Sequence, residues 1–170
     1  MATELYDLTV PVFIRGLNIL STLLDKGAAF AAERGIDPLT LTQARLIEDM
    51  HPLSAQVQLA TDSAKGAVIR IGGLDPFPLP DTEQTFEEMK ERIARTVAFL
   101  QSVPREPIDG REEEEVVLKT PRVEFSFTGR SHILTFSLPN FFFHLTTAYA
   151  LLRQAGVPVG KLDYLGGFER

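Results

Sequence analysis

The residues best suited to chemistry lie in one run near the C-terminus, NFFFHLTTAYALLRQAG, which begins at Asn140. His144 follows Asn140 by four residues, so on a helix both side chains project from the same face, one turn apart. Two histidines at this spacing form a common metal-binding pair. Here one position holds asparagine, a weak neutral ligand that suits hard cations better than zinc or nickel. The pair is predicted either to bind a metal or to supply polar groups to a pocket or to the core.

A metal site would need further ligands from elsewhere in the chain. The sequence contains three histidines, and His51 lies at the start of a predicted helix. His51, Asn140 and His144 are therefore the predicted ligands of a divalent cation, which Asp62 or water would complete. His132 falls in a predicted hairpin and is expected on the surface of an edge strand. In the alternative, His144 is a core histidine that hydrogen-bonds a neighbouring hydroxyl or carbonyl group.

A second possibility is a metal-free site for a small organic molecule. Phenylalanines at positions 141–143 lie between the two polar residues and would suit an apolar ligand. Tyr149 could donate its hydroxyl to such a site, or it could fill a gap between helices. Asp62 could form part of a pocket wall, or it could lie on a solvated helix face. The predicted ligand-binding residues are Asn140, His144, Tyr149 and Asp62.

Four amphipathic patterns are expected to become the long helices that hold these residues. In each pattern, apolar residues recur at steps of three and four, which places them on one helix face. The predicted helices cover residues 9–34, 49–72, 81–103 and 137–153. Asp49 is the predicted N-cap of the second helix, and Asp81 with Gln84 is a predicted capping box for the third. A short helical turn is expected over residues 42–47.

The third pattern has a charged outer face that is predicted to be solvent-exposed and to contain ion pairs four residues apart. Its members are Glu87, Glu88, Lys90, Glu91, Arg92 and Arg95. After this helix, VEFSF alternates apolar and polar residues as a half-buried strand does. TGRS is predicted to form a hairpin turn, and HILTF is predicted to be the partner strand.

Four helices without alternating strands predict a mainly all-α, up-down four-helix bundle with crossover connections and a small β-hairpin between the third and fourth helices. The length of 170 residues suits one domain, so residues 1–170 are expected to form a single unit. Cysteine is absent, which excludes a disulfide framework, a thiolate metal site and a cysteine nucleophile.

The charge and hydropathy of the chain restrict its surroundings. The net charge is −6, with no basic stripe, which argues against a nucleic acid or an anionic membrane as partner. The acidic N-terminus does not resemble a secretory signal. No apolar run reaches the roughly 18 residues of a membrane span. A soluble, cytoplasmic protein is therefore expected.

Three segments resemble an uncharacterised bacterial and fungal domain family within the DinB/YfiT-like superfamily of four-helix bundles. They are, in chain order, MHPLSAQVQLATDSAKGA, DTEQTFEEMKERIARTVAFL and SLPNFFFHLTTAYALLRQAGVPVGKLDYLG. The similarity covers nearly the whole chain. It implies a bundle with the predicted helix order, often as a homodimer. Characterised members of the superfamily are metal-dependent, and they include thiol transferases, isomerases and hydrolases.

The resemblance also implies a metal triad, with one histidine on the second helix and an H-x-x-x-H pair on the fourth. His144 matches the second histidine of the pair, and Asn140 replaces the first. His51 lies nearer the start of its helix than the remaining ligand would.

The predicted function is therefore a metal-free small-molecule-binding or dimeric module with a degraded triad and no cofactor. The alternative is a divalent-metal-dependent transferase or hydrolase that uses zinc or nickel. The predicted partners are a second copy of the chain and a small apolar or thiol-containing ligand. A third possibility is an interaction protein that uses the hairpin edge at residues 123–127.

Overall fold

The computed structural model describes residues 4–120 and 123–167, and most of them are helical. The helices are α1 (Val10–Arg34), α2 (Pro38–Thr42), α3 (Leu53–Gly72), α4 (Phe86–Ser102), α5 (Gly129–Ser131), α6 (Leu138–Gln154) and α7 (Lys161–Leu165). Strands β1 (Glu115–Lys119) and β2 (Glu124–Thr128) follow α4, and a π-helical segment (His132–Ser137) joins α5 to α6. The predicted mainly helical bundle with a hairpin between the third and fourth long helices is confirmed.

The four long helices pack in the cyclic order α1, α4, α3, α6. Helix α3 runs antiparallel to α6, because Gln56 contacts His144 while Ser63, further along α3, contacts the earlier Asn140. Helix α1 runs parallel to α6, and the start of α4 lies against the end of α1. Consecutive helices α3 and α4 therefore run in the same direction, and residues 73–85 cross the length of the bundle between them.

The core follows the apolar stripes of the sequence. The alanine-rich face of α3 is fully buried at Ala60, Ala64 and Ala67, so neighbouring helices can approach its backbone closely. Phe13 of α1 and Phe141 of α6 are also fully buried and meet edge-to-face, with their ring centroids 5.1 Å apart. Within the described ranges, no helix has both the length and the apolarity needed to cross a bilayer.

A glycine permits the close approach of α1 to α6, and its substitution gives a testable prediction. A Cβ on Gly16 would lie 2.5 Å from Cε1 of the buried Phe141 ring. Gly16→Ala is therefore expected to lower the free energy of unfolding by about 1–2 kcal/mol, even though alanine favours a helix by about 1 kcal/mol over glycine. Urea denaturation would measure the change. Gly66→Ala is the control, because a Cβ there would meet only the movable guanidinium of Arg70. An equal loss in both variants would contradict the steric explanation.

Three predicted helix starts were wrong. Helix α3 begins at Leu53 with Pro52 as its N-cap, and Asp49 lies outside it. A proline disfavours helical backbone at the residue before it, so the helix starts only after Pro52. The capping box of α4 joins Thr85 and Glu88. Asp81 instead contacts an arginine of α4, and the short helix α2 covers Pro38–Thr42 rather than residues 42–47.

The hairpin lies between the third and fourth long helices, as predicted, but the predicted strand pairing was wrong. β2 pairs with the preceding β1 in antiparallel register, which sets Phe127 opposite Val116 and Phe125 opposite Leu118. TGRS does not turn back into a strand, because the Thr128 and Ser131 side chains cap a new helical turn. HILTF then forms the π-helical segment. Periodicity cannot distinguish so short an apolar run in a strand from one in a buried helix.

The outer face of α4 contains one exception to the predicted exposure. Arg92 is buried, with only 1% of its side chain accessible, and its guanidinium lies among the carboxylates of Asp62, Asp81 and Glu83. The prediction of a solvated Arg92 was therefore wrong. The three acids come from α3 and from the crossing segment 73–85, so this ionic cluster attaches that segment to the bundle.

Candidate functional site

The candidate site is centred on His144, which projects from α6 toward α3. Only 8% of the residue is exposed, and its Nδ1 lies 2.8 Å from Oε1 of Gln56. The side-chain nitrogen of Gln56 donates to the carbonyl oxygen of His51 at 3.0 Å, so Oε1 must be the acceptor toward the imidazole. Nδ1 of His144 therefore carries the proton, and Nε2 retains its lone pair.

Two effects favour the neutral form of this imidazole. Burial lowers the pKa of His144 below its usual value, and the positive charge of nearby His51 lowers it further. A neutral imidazole with its proton on Nδ1 can accept a hydrogen bond or a proton at Nε2, or can bind a cation there. In the part of the chain that the structure describes, no protein group hydrogen-bonds Nε2. The site therefore presents one oriented acceptor nitrogen.

Asn140 is the second polar residue on this face of α6. Its side-chain nitrogen donates to Oγ of Ser63 at 2.8 Å, and Ser63 in turn donates to the carbonyl of Leu59 at 2.7 Å. The amide is thereby held against α3, with Oδ1 left as its acceptor. The structure thus places Asn140 and His144 on the same side of α6, as the spacing predicted.

Tyr149 and Asp62 lie in different surroundings. The Tyr149 ring packs edge-to-face on Tyr164 of α7, at a centroid distance of 5.7 Å. Asp62 accepts from Arg92 at 2.8 Å and pairs with Lys65 at 3.0 Å. Neither residue makes a described contact with the Asn140 or His144 side chain. Their predicted role in a shared pocket is not supported by these contacts.

The predicted ligands His51, Asn140 and His144 form a weak donor set, and metal binding by them stays a prediction. No three His, Asp or Glu side chains are grouped closely enough to hold an ion within residues 4–120 and 123–167. His51 is exposed, and Asn140 turns its amide nitrogen toward Ser63. A cation could therefore find two imidazoles and one neutral amide oxygen at most, which is a weak donor set for zinc or nickel.

Two residues of the site were missed in the sequence. Gln56 and Ser63 are seven residues apart on α3, which places them on one face, where they meet His144 and Asn140. Gln56 is only 1% exposed. A glutamine among the apolar residues of a predicted inner face was the available signal, since a buried amide requires partners.

A second buried histidine lies at the hairpin, where the predicted surface position was wrong. His132 is fully buried, and its Nδ1 lies 3.2 Å from Oγ of Ser137. Among the described residues, its Nε2 has no hydrogen-bond partner. The rings of Phe127 and Phe136 pack on it at 5.5 and 5.7 Å. Burial, with the positive charge of Arg70, lowers the pKa of His132 to about 4.

Comparisons with known proteins agree with this fold. Residues 5–165 match the family described as a domain of unknown function, DUF1993. The structure is similar to the crystal structure of a DinB family member protein from Shewanella denitrificans, with a TM-score of 0.89 and 36% sequence identity over 98% of this chain and 94% of that chain. A search among proteins with curated functions found none that matches this chain. The chain therefore belongs to the DUF1993 family, and it has the fold of the DinB-like superfamily.

Proposed function

We propose that this protein is a metal-free binding module for a small organic molecule, which it recognises through Nε2 of His144. The supporting observation is the hydrogen bond between Gln56 and His144. It orients the imidazole and directs its proton away from Nε2. A ligand would donate an N–H, O–H or S–H group to Nε2, and Oδ1 of Asn140 would accept a second donor.

The apolar part of the ligand would lie along Phe143. This ring packs edge-to-face on the imidazole of His144, with a centroid distance of 5.3 Å, and it is 54% exposed. An exposed aromatic next to an oriented polar group is typical of small-molecule sites, where a few polar atoms fix orientation and apolar walls supply area.

A thermal-shift screen of small apolar molecules with one hydrogen-bond donor would test this function. The library should include phenols, amides and thiols. A ligand at 100 times its Kd is expected to add about 2.7 kcal/mol of stability. His144→Phe should abolish the shift, whereas His51→Phe, at an exposed histidine, should preserve it. A shift that persists in His144→Phe, or the absence of any ligand from the screen, would count against the proposal.

The role of Gln56 gives a second, independent test. Gln56→Glu places a carboxylate beside Nδ1, which favours the protonated imidazole. We therefore expect the pKa of His144 to rise relative to the wild type and donor ligands to bind more weakly at mildly acidic pH. Proton NMR titration of the imidazole Cε1–H would measure the pKa. Gln154→Glu is the control, because Gln154 is an exposed glutamine on α6 ten residues from His144. An unchanged His144 titration in Gln56→Glu would show that the hydrogen bond does not control the ring.

A divalent-metal-dependent transferase or hydrolase is the second candidate function. It is favoured by the proximity of His51, whose charge reaches the His144 imidazole. Elemental mass spectrometry on tag-free protein is expected to find metal well below one ion per chain. Near-stoichiometric zinc or nickel that His144→Phe removes would establish the metal-dependent alternative instead.

We also propose that the protein is a cytoplasmic homodimer. Support for self-association comes from two exposed apolar side chains outside the ligand site, Leu134 of the π-helical segment and Phe142 of α6. Light scattering at micromolar concentration should report twice the chain mass. A monomer under these conditions would refute the dimer and leave the His144 proposal unaffected.

A further inference from the structure

A large groove separates α1 from α7 and the residues that follow it, and His144 is not part of its lining. Its volume is about 1270 Å³, and its lining is more apolar than polar. Ile14 and Ile19 of α1 form one apolar wall, and Leu162 of α7 forms the opposite one. Leu162 is 77% exposed. Covering these side chains would remove apolar surface from water.

Among the described residues that line the groove, Arg15 is the cation, and its partners are neutral. Nη2 of Arg15 donates to the carbonyl oxygens of Leu165 and Gly167. No carboxylate pairs with this guanidinium among residues 4–120 and 123–167. A guanidinium has five N–H groups, and both contacts use Nη2, so those on Nη1 and Nε remain. In contrast, the groove's acid, Asp163, is paired with Lys26 at 2.6 Å.

A second hydrogen-bond donor, the side-chain amide of Asn18, lies on the same face of α1 as Arg15. Arg15, Asn18 and Thr22 follow one another at steps of three and four, so their side chains are neighbours along the helix surface. The hydroxyl of Thr22 donates to the backbone carbonyl of Asn18 at 3.1 Å. The side-chain amide of Asn18 is left exposed beside the guanidinium. One side of the groove therefore presents donors suited to an anion, and Ile14, Ile19 and Leu162 supply its apolar surface.

We propose that this groove binds a small amphipathic carboxylate, meaning an organic acid with an alkyl chain. The carboxylate would contact the free N–H groups of Arg15, a geometry that guanidinium groups favour, and the amide of Asn18 would donate to it as well. The alkyl chain would lie between Ile14, Ile19 and Leu162. The protein's net charge of −6 repels anions at long range, so the apolar contact must supply part of the affinity. This site is separate from the one at His144.

Isothermal titration calorimetry with decanoate below its micelle concentration tests the proposal, with decanol and acetate as comparison probes. Arg15→Gln is expected to weaken decanoate binding about tenfold or more, since a hydrogen bond to a charged group is lost. The same change should leave decanol binding unaltered. Arg153→Gln is the matched control, because Arg153 is an exposed arginine on α6 outside the groove. Acetate, whose alkyl part is a single methyl group, should bind neither to the wild type nor to any variant.

Two further variants keep the result interpretable. Leu162→Ser alters an exposed side chain and should weaken decanoate and decanol together. His144→Phe should bind decanoate as the wild type does, which separates this site from the proposed function. Failure of the wild type to bind decanoate would overturn the proposal, as would equal affinities of Arg15→Gln and Arg153→Gln.

Discussion

Replacing Arg92 with methionine is expected to lower the free energy of unfolding by about 3 kcal/mol, the lower end of the usual cost of removing one partner from a buried ionic group, because Asp62 and Asp81 are partly exposed. Its Nε donates to Oγ1 of Thr61 at 2.7 Å. Its terminal nitrogens lie 2.8, 3.0 and 3.1 Å from Asp62, Asp81 and Glu83. Without the guanidinium, three carboxylates would stay close together, and Glu83, which is 11% exposed, would be poorly solvated.

Urea denaturation of Arg92→Met and Arg95→Met would measure this effect. Arg95 is an exposed arginine on the same helix, so its replacement should change stability by less than about 0.5 kcal/mol. Arg92→Lys should recover only part of the loss, because an ammonium group cannot make the fork of hydrogen bonds that joins several acceptors. If Arg92→Met proved as stable as Arg95→Met, the ionic cluster would contribute nothing beyond what an apolar side chain supplies.

Acidification is expected to destabilise the protein through His132 between about pH 6.5 and pH 4. The pKa of His132 is lowered from 6.5 to about 4 in the fold, so the unfolded chain binds a proton in this range and the folded chain does not. The contribution of His132 to the free energy of unfolding is thus fully present above pH 6.5, and it falls as the pH drops from 6.5 to about 4. A shift of this size corresponds to about 3 kcal/mol at its limit below pH 4.

The physical cause is the environment of the imidazolium that would form. The rings of Phe127 and Phe136 supply no carboxylate, and the charge of Arg70 repels a second cation. Denaturation curves of wild type and His132→Leu at several pH values would isolate the effect, because acids common to both cancel in the difference. The free energy of unfolding of the wild type minus that of His132→Leu should increase by about 3 kcal/mol from pH 4 to pH 7.

Proton NMR gives a check that does not depend on the variant folding. The Cε1–H resonance of His132 in the wild type should not titrate above pH 5. A His132 that titrates near pH 6.5 in the native protein would contradict the predicted loss of stability.

Local patterns in the sequence predicted the helices well. Steps of three and four in the apolar residues predicted α1, α3, α4 and α6, because an amphipathic helix repeats its own geometry every turn. The spacing of Asn140 and His144 likewise predicted that both would share one face of α6. The period-two pattern predicted β2, although its partner strand was misidentified.

Two errors arose where a polar contact that the apolar pattern does not encode decided the structure. Arg92 has the spacing of an exposed residue, and only the crossing of residues 73–85 brings Asp81 and Glu83 over it. HILTF has the composition of a strand, but the cap at Thr128 starts a helix that buries His132. In both cases a nearby polar group overrode the local propensity, because a buried charge or backbone donor must find a partner.

The sequence by itself determined the helical bundle, its hairpin insertion and the polar pair on α6, since these depend on residues within a few turns of one another. Only the tertiary structure decided what that pair contacts. His144 meets Gln56 across a separation of 88 residues, and Asn140 meets Ser63 across 77. Whether an imidazole is a ligand, a base or a hydrogen-bond acceptor depends on what occupies its other nitrogen. That neighbour is set by how α3 and α6 pack, which no local periodicity specifies.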